Sequence, residues 1–357
     1  MSTTLPAAST SGVSSGARDR VMSWGGDMFT MFLCTWVLAG LAVDGWAHTN
    51  LGGLETFFTP WHALFYSGFA ATATWIVWST VRRRKPGQTL VQAIPLGYEL
   101  AVAGLVLFGL GGVGDMIWHE VFGIEVGVDA LLSPTHLLLY AGVFLIVTSP
   151  FRAAWRRPDQ RGFKAFSPVL LSAALAAGFT SFMLMYLSPV FQVEMARSHT
   201  DWLAGSENAG FFHFMNQRAG VASVLVTTAV VISPLLLILR RWRLPFGSCA
   251  FIFGLVATVV QGIRAFEAPE LIAAAVGGGL LADAIAAWLK PSITRPNALR
   301  AFAGLAPIAL WGVYVLTIAV TGGVGWAPEL WSGAILWSGL VGLGLSLLIQ
   351  PPAAPQN

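Results

Sequence analysis

Stretches of about 20 apolar residues recur from Asp27 to Ile349, and that recurrence limits the fold more than any other feature of this 357-residue chain. Only 10% of the residues are charged, against roughly 25% in globular domains, and 55% are hydrophobic. In lipid no water satisfies backbone N–H and C=O groups, so each segment must bond internally, as a helix does. Ten spans are expected, at 27–47, 60–81, 93–117, 134–151, 167–189, 210–239, 245–264, 269–289, 301–320 and 329–349. They predict an all-α polytopic transmembrane helix bundle of five hairpins (27–81, 93–151, 167–239, 245–289 and 301–349) in a single domain, 21–349. Residues 1–20, rich in Ser, Thr, Ala and Gly, read as a disordered cytoplasmic tail and 350–357 as a second tail on the same side. The polar leader followed by successive apolar runs speaks against a cleavable signal peptide.

The basic residues orient this bundle. Arg18 and Arg20 precede the first span, and Arg82, Arg83, Arg84 and Lys85 follow the second. Arg152, Arg156, Arg157, Arg161 and Lys164 follow the fourth, Arg240, Arg241 and Arg243 the sixth, and Lys290, Arg295 and Arg300 the eighth. Thus 17 of the 20 Lys and Arg residues fall on one side, leaving Arg197, Arg218 and Arg264 on the other. The excess of cytoplasmic positive charge in membrane proteins then predicts a multi-pass protein of a bacterial inner membrane with both termini in the cytoplasm. The net charge of +3 reflects those loops and implies no nucleic-acid partner. Cys34 and Cys249 sit inside apolar runs and read as small buried residues. No Ser-His-Asp arrangement, dinucleotide fingerprint or HExxH sequence is present.

All six histidines fall on or near the opposite, extracytoplasmic face. Two polar turns concentrate them. Asp44 to His62 reads D-G-W-A-H-T-N-L-G-G-L-E-T-F-F-T-P-W-H, and Asp115 to His136 reads D-M-I-W-H-E-V-F-G-I-E-V-G-V-D-A-L-L-S-P-T-H. Both carry Asp-x-x-x-His and then acid-x-x-x-[Ser/Thr]-Pro-x-His, at an offset of 71 to 74 residues, which points to an internal repeat. The third hairpin keeps a degraded version, with His199 and His213 spaced 14 apart like His48 and His62, and Glu207 between them. The fourth and fifth keep only Ala-Pro-Glu-Leu, at Ala268–Leu271 and Ala327–Leu330, and read as scaffold.

Asp-x-x-x-His places both side chains on one helical face. On the returning helix Ser133 or Thr59 can cap, Pro134 or Pro60 occupies the first position, and His136 or His62 lies in the first turn. Two imidazoles and a carboxylate converging from two rigid elements are a first shell for Zn, Cu or Fe. The candidate ligands are Asp115, His119 and His136 in one hairpin and Asp44, His48 and His62 in the other. Asp129 and Glu55 could be fourth ligands or accept from an imidazole N–H, and Trp118 and Trp46 could shield the sites. His199, Glu207 and His213 form a candidate third site.

The run Asp-x-x-Trp-His, followed by Asp-x-x-Leu-Ser-Pro-Thr-His, resembles the metal-binding stretch of the C subunit of the copper-dependent membrane monooxygenases, which oxidise methane or ammonia. The resemblance covers about 22 residues in each hairpin, less closely in the first, where Trp46 lies two residues before His48 and the acid is Glu55. It implies that Asp115, His119 and His136 bind copper. It also implies that the apolar helices admit a small apolar substrate from the lipid bilayer. The other reading of the same ligands is acquisition, storage or delivery of copper or another transition metal, with a metal-delivery protein as partner.

Remaining polar residues inside the spans carry less. Arg218 needs a carboxylate among Glu194, Glu207 and Glu267, and Arg264 invites pairing with Glu267. Asp27, Glu99 and Asp283 lie toward the cytoplasm and are isolated in sequence.

Overall fold

The computed structural model describes residues 20–51, 57–123, 127–157, 162–196 and 208–352. The described residues are mainly helical: besides the single turn Leu90–Ala93, the α-helices are α1 (Trp24–Asn50), α2 (Pro60–Arg83), α3 (Glu99–Phe122), α4 (Val128–Leu132), α5 (Pro134–Val147), α6 (Ser149–Arg156), α7 (Phe163–Met183), α8 (Ala209–Leu239), α9 (Ser248–Ile263), α10 (Pro269–Leu289), α11 (Pro296–Thr321) and α12 (Pro328–Ile349). Among the described residues the only β contacts are two isolated bridges, Ala196 with Val324 and Ser292 with Arg295. All ten expected spans are helices. Eight are long and apolar enough to cross a membrane, with α5 and α6 counted as one, Pro134–Arg156. Of the other two, α9 has only 16 residues, and α2 is diluted by the Thr, Ser and His residues along its 24.

Local chemistry sets the helix starts that matter. Thr59 caps α2 by accepting from the His62 N–H at 3.1 Å, and Ser133 caps α5 by accepting from the His136 N–H at 3.4 Å. Proline follows each cap, so both returning helices begin at the same register relative to their histidine.

Glycines then set how closely the paired helices approach. In the first hairpin a Cβ on Gly40 would lie 2.7 Å from the Phe65 Cα, and one on Gly68 would lie 3.0 Å from the Val37 nitrogen. In the second hairpin Gly111 meets the Leu139 nitrogen at 3.0 Å and Gly142 the Phe108 nitrogen at 2.7 Å. Each pair maps onto the other by the repeat offsets of 71 and 74, so the duplication extends beyond the polar turn into the packing of the rods.

The third hairpin is splayed. Its arm α7 packs more on α9 and α1 than on α8, and α8 packs chiefly on α12. As a result α7 becomes the most enclosed span and divides two cores, one built from α1, α2, α3 and α5, the other from α8 to α12.

Asp27, Glu99 and Asp283 prove structural. Asp27 is fully buried and binds the Arg157 guanidinium and the Tyr98 hydroxyl, the latter at 2.7 Å. Glu99 pairs with Arg156 at 3.0 Å and Arg20 at 3.4 Å. Asp283 of α10 accepts from the N–H groups of Cys249 at 2.9 Å and Ala250 at 3.1 Å, capping α9, which has no side-chain cap of its own. Asp283→Ala is expected to leave two buried donors unpaired and to lower stability by about 1–3 kcal/mol, read as a lower melting temperature in detergent.

Candidate metal centre

The last turn of α1 carries Asp44 and His48, and the first turn of α2 carries His62. One ligand atom from each lies within 4.8 Å of the other two, and Asp115, His119 and His136 make the same arrangement from α3 and α5. The carboxylate is the hub of each triad. Asp44 Oδ2 lies 3.4 Å from His62 Nε2 and 3.9 Å from His48 Nε2. Asp115 Oδ1 lies 3.0 Å from His136 Nε2 and 3.6 Å from His119 Nε2. Two ligands held about 2.1 Å from one ion at a tetrahedral angle are about 3.4 Å apart, so these separations suit a shared cation.

The opposite ring nitrogens show how each triad could receive a cation. His62 Nδ1 donates to the Phe57 carbonyl at 2.6 Å, His119 Nδ1 to that of Gly123 at 3.3 Å, and His136 Nδ1 to that of Ala130. A carbonyl only accepts, so the proton of each neutral imidazole is on Nδ1 and the Nε2 lone pair faces a carboxylate oxygen. Acceptors turned toward acceptors in a buried place favour a positive charge between them, which a proton on one imidazole or a metal ion shared by all three groups would supply. Asp44 Oδ1 adds to this: it is buried and, among the described residues, meets no hydrogen-bond donor. The donor set therefore fits a transition-metal ion.

The two triads open into one cavity of about 380 Å³, walled by Leu41, Phe65, Leu139, Val143, Phe179 and Phe182 and by Met185 and Tyr186 of the segment after α7. Apart from the triads, the lining is mainly apolar.

Several expected neighbours are elsewhere. Backbone carbonyls, the Ala130 one included, take the acceptor role expected of Asp129, which is exposed on α4. Trp46 stacks edge-on against Trp61 and Trp118 lies against Phe122; neither lines the cavity, and Phe57, 4.9 Å from the His62 ring, is the aromatic beside the imidazoles. Glu55, His199 and Glu207 lie outside the described residues. His213 is half-buried and bonded to Gln217 at 2.9 Å. Arg218 is exposed and lies over the Phe214 ring, whereas Arg264 does pair with Glu267. Glu194 is instead buried beside Ser223, whose hydroxyl donates to it at 3.3 Å, and burial pushes its carboxyl up to about 7.

Sequence reasoning missed Tyr66, Tyr140 and Thr135. Tyr66 donates to Asp115 Oδ2 at 3.3 Å, crossing from the first hairpin to the second, and Thr135 donates to Asp115 Oδ1 at 3.1 Å. A signal existed: both returning helices read His-x-x-x-Tyr, at the same offset of 74 as the histidines.

Compared with family models, curated proteins and solved structures, the chain matches none.

Proposed function

We propose that this chain is an integral membrane metalloprotein whose two Asp/His/His triads hold copper. We further propose that it is related to the C subunit of the copper-dependent membrane monooxygenases and oxidises a small apolar molecule taken from the bilayer. The observation that carries this reading is that both triads line the same, mainly apolar cavity. Copper heads the stability order of first-row divalent ions for nitrogen and oxygen ligands, although zinc and iron accept the same set. When bound, the metal supplies the one-electron and oxygen chemistry that no side chain here provides. The residues do the rest. The carbonyls of Phe57, Gly123 and Ala130 fix three imidazole tautomers, the carboxylates balance the ion's charge, and Phe65, Phe179 and Phe182 exclude water and receive an apolar substrate.

The excess of Lys and Arg in the loops at the other end of the bundle supports an extracytoplasmic position for the triads. Metal acquisition, storage or delivery remains the second reading. An apolar chamber beside the ligands favours catalysis over it, because a store or carrier needs no such chamber.

The test is metal analysis of the purified chain in detergent. Two equivalents of copper are expected in the wild type. His119→Ala and His136→Ala should each lose one, and His48→Ala and His62→Ala the other; equal metal in wild type and variants rejects the assignment. Oxygen consumption with candidate apolar substrates and an electron donor then separates enzyme from store.

A further inference from the structure

The repeats that build the two triads are alike in ligands but not in what holds the carboxylate. Asp115, 1% exposed, uses both oxygens: Oδ2 accepts from Tyr66 at 3.3 Å and Oδ1 from Thr135 at 3.1 Å while facing the imidazoles. Asp44 has no such support among the described residues. Its Oδ2 faces His62 and His48, and its buried Oδ1 meets no donor.

The sequence explains the difference. The residue equivalent to Thr135 is Trp61, which has no hydroxyl. The residue equivalent to Tyr66 is Tyr140, whose hydroxyl bonds instead to Thr180 of α7 at 2.9 Å. Tyr66 reaches Asp115 because α3 presents Gly112 one turn earlier, where a Cβ would lie 2.9 Å from the tyrosine ring. The matching position on α1 is Leu41, which carries a bulky side chain where α3 has none. Three paired differences, Gly112 against Leu41, Thr135 against Trp61, and Tyr66 against Tyr140, therefore all favour one aspartate.

From this we infer that the two metal sites are unequal by construction. Tyr66 is the positioning residue that fixes Asp115 through one oxygen and makes the second-hairpin site the tight one. The first-hairpin site, whose Asp44 keeps an oxygen unclaimed among the described residues and can turn to bind through one oxygen or both, is the exchangeable one. A pre-oriented carboxylate loses less freedom when it binds an ion, and hydrogen-bonded partners of ligands commonly change metal affinity by about 10–100-fold. This assignment rests on the triads holding metal.

The experiment is a Cu(II) titration of the full-length chain in detergent against a competing chelator, with the electron paramagnetic resonance spectrum recorded at each step. Wild type is expected to fill two sites in sequence with two distinct spectra. His136→Ala should delete the spectrum that appears first and His48→Ala the one that appears second. Tyr66→Phe and Thr135→Val should each weaken the first equivalent by about 10–100-fold and alter its spectrum. Thr135→Ser, which keeps the hydroxyl, should restore it. The second equivalent should stay in place in these three variants, which shows that the bundle is still folded. Two equivalents whose affinities do not respond to Tyr66→Phe, or respond equally, overturn the assignment alone. A wild-type chain that takes up no copper overturns the metal reading and this assignment with it.

Discussion

Asp115→Ala is expected to strip the metal from the second hairpin and leave the first-hairpin metal in place. Asp115 Oδ1 is the atom on which His119, His136 and Thr135 all converge, at 3.0 to 3.6 Å. Without it two neutral imidazoles remain, with no anion to offset the charge of the ion in a buried site. Loss of a direct ligand should exceed the cost of losing an outer partner, so affinity should fall by more than about 100-fold. The metal-free chain should also be less stable by about 1–3 kcal/mol, because the hydroxyls of Tyr66 and Thr135 lose their acceptor. Asp115→Asn separates the two effects: it preserves an acceptor and the packing but removes the charge, so stability should recover while metal stays lost. Metal content and melting temperature, measured on the same preparations, check both. An Asp115→Ala chain that still holds two equivalents would sink the ligand assignment.

The opposite outcome in the first hairpin makes the comparison sharper. Asp44→Ala removes a carboxylate that no hydroxyl depends on among the described residues, so it should cost one equivalent of metal without the stability loss seen at Asp115. Because ligands must be deprotonated to bind, both equivalents should also be released as the pH is lowered.

How much of this was legible in the sequence follows from what a linear pattern encodes. Spacing along one helix is local, so Asp44 with His48, and Asp115 with His119, could be placed on common faces. The Ser/Thr-Pro signal fixed where the next helix begins, and so where His62 and His136 lie. Contacts between helices are not local. That Tyr66 of one hairpin reaches Asp115 of the other, or that both triads open into one chamber, depends on how the rods lean together. The tryptophans were misjudged for the same reason: position beside a ligand in sequence turned Trp46 and Trp118 about a helix away from the cavity. Likewise α7 and α8 read as a hairpin because they are consecutive and apolar, yet each finds a larger partner surface elsewhere. Part of this was recoverable. The glycines Gly40, Gly68, Gly111 and Gly142 repeat at the same offsets as the ligands, and small residues at such intervals mark where membrane helices touch.

Those glycines yield the second large expected effect. At Gly142 an added Cβ would lie 2.7 Å from the Gly104 carbonyl oxygen and 2.7 Å from the Phe108 nitrogen. Both are backbone atoms of α3, which no rotamer change can move aside, so Gly142→Leu must push α3 and α5 apart. Overpacking a well-filled interior costs about 1–3 kcal/mol even where side chains can yield, and more is expected here. The displacement also acts at the far end of the hairpin, since α3 supplies Asp115 and His119 while α5 supplies His136. A His136 Nε2 that sits 3.0 Å from Asp115 Oδ1 leaves little slack: moving it outward by about 1 Å breaks a coordination sphere with bonds near 2.1 Å. Gly142→Leu should therefore lower the melting temperature and lose the second-hairpin metal together, while the first-hairpin equivalent persists in whatever fraction still folds. Gly109 on α3 is the control. It has nothing within 4 Å of its would-be Cβ, and Gly109→Leu should leave both readings near wild type, since leucine suits a helix better than glycine. A Gly142→Leu chain with normal melting and two bound equivalents would show that the glycine contact does not set the geometry of the site.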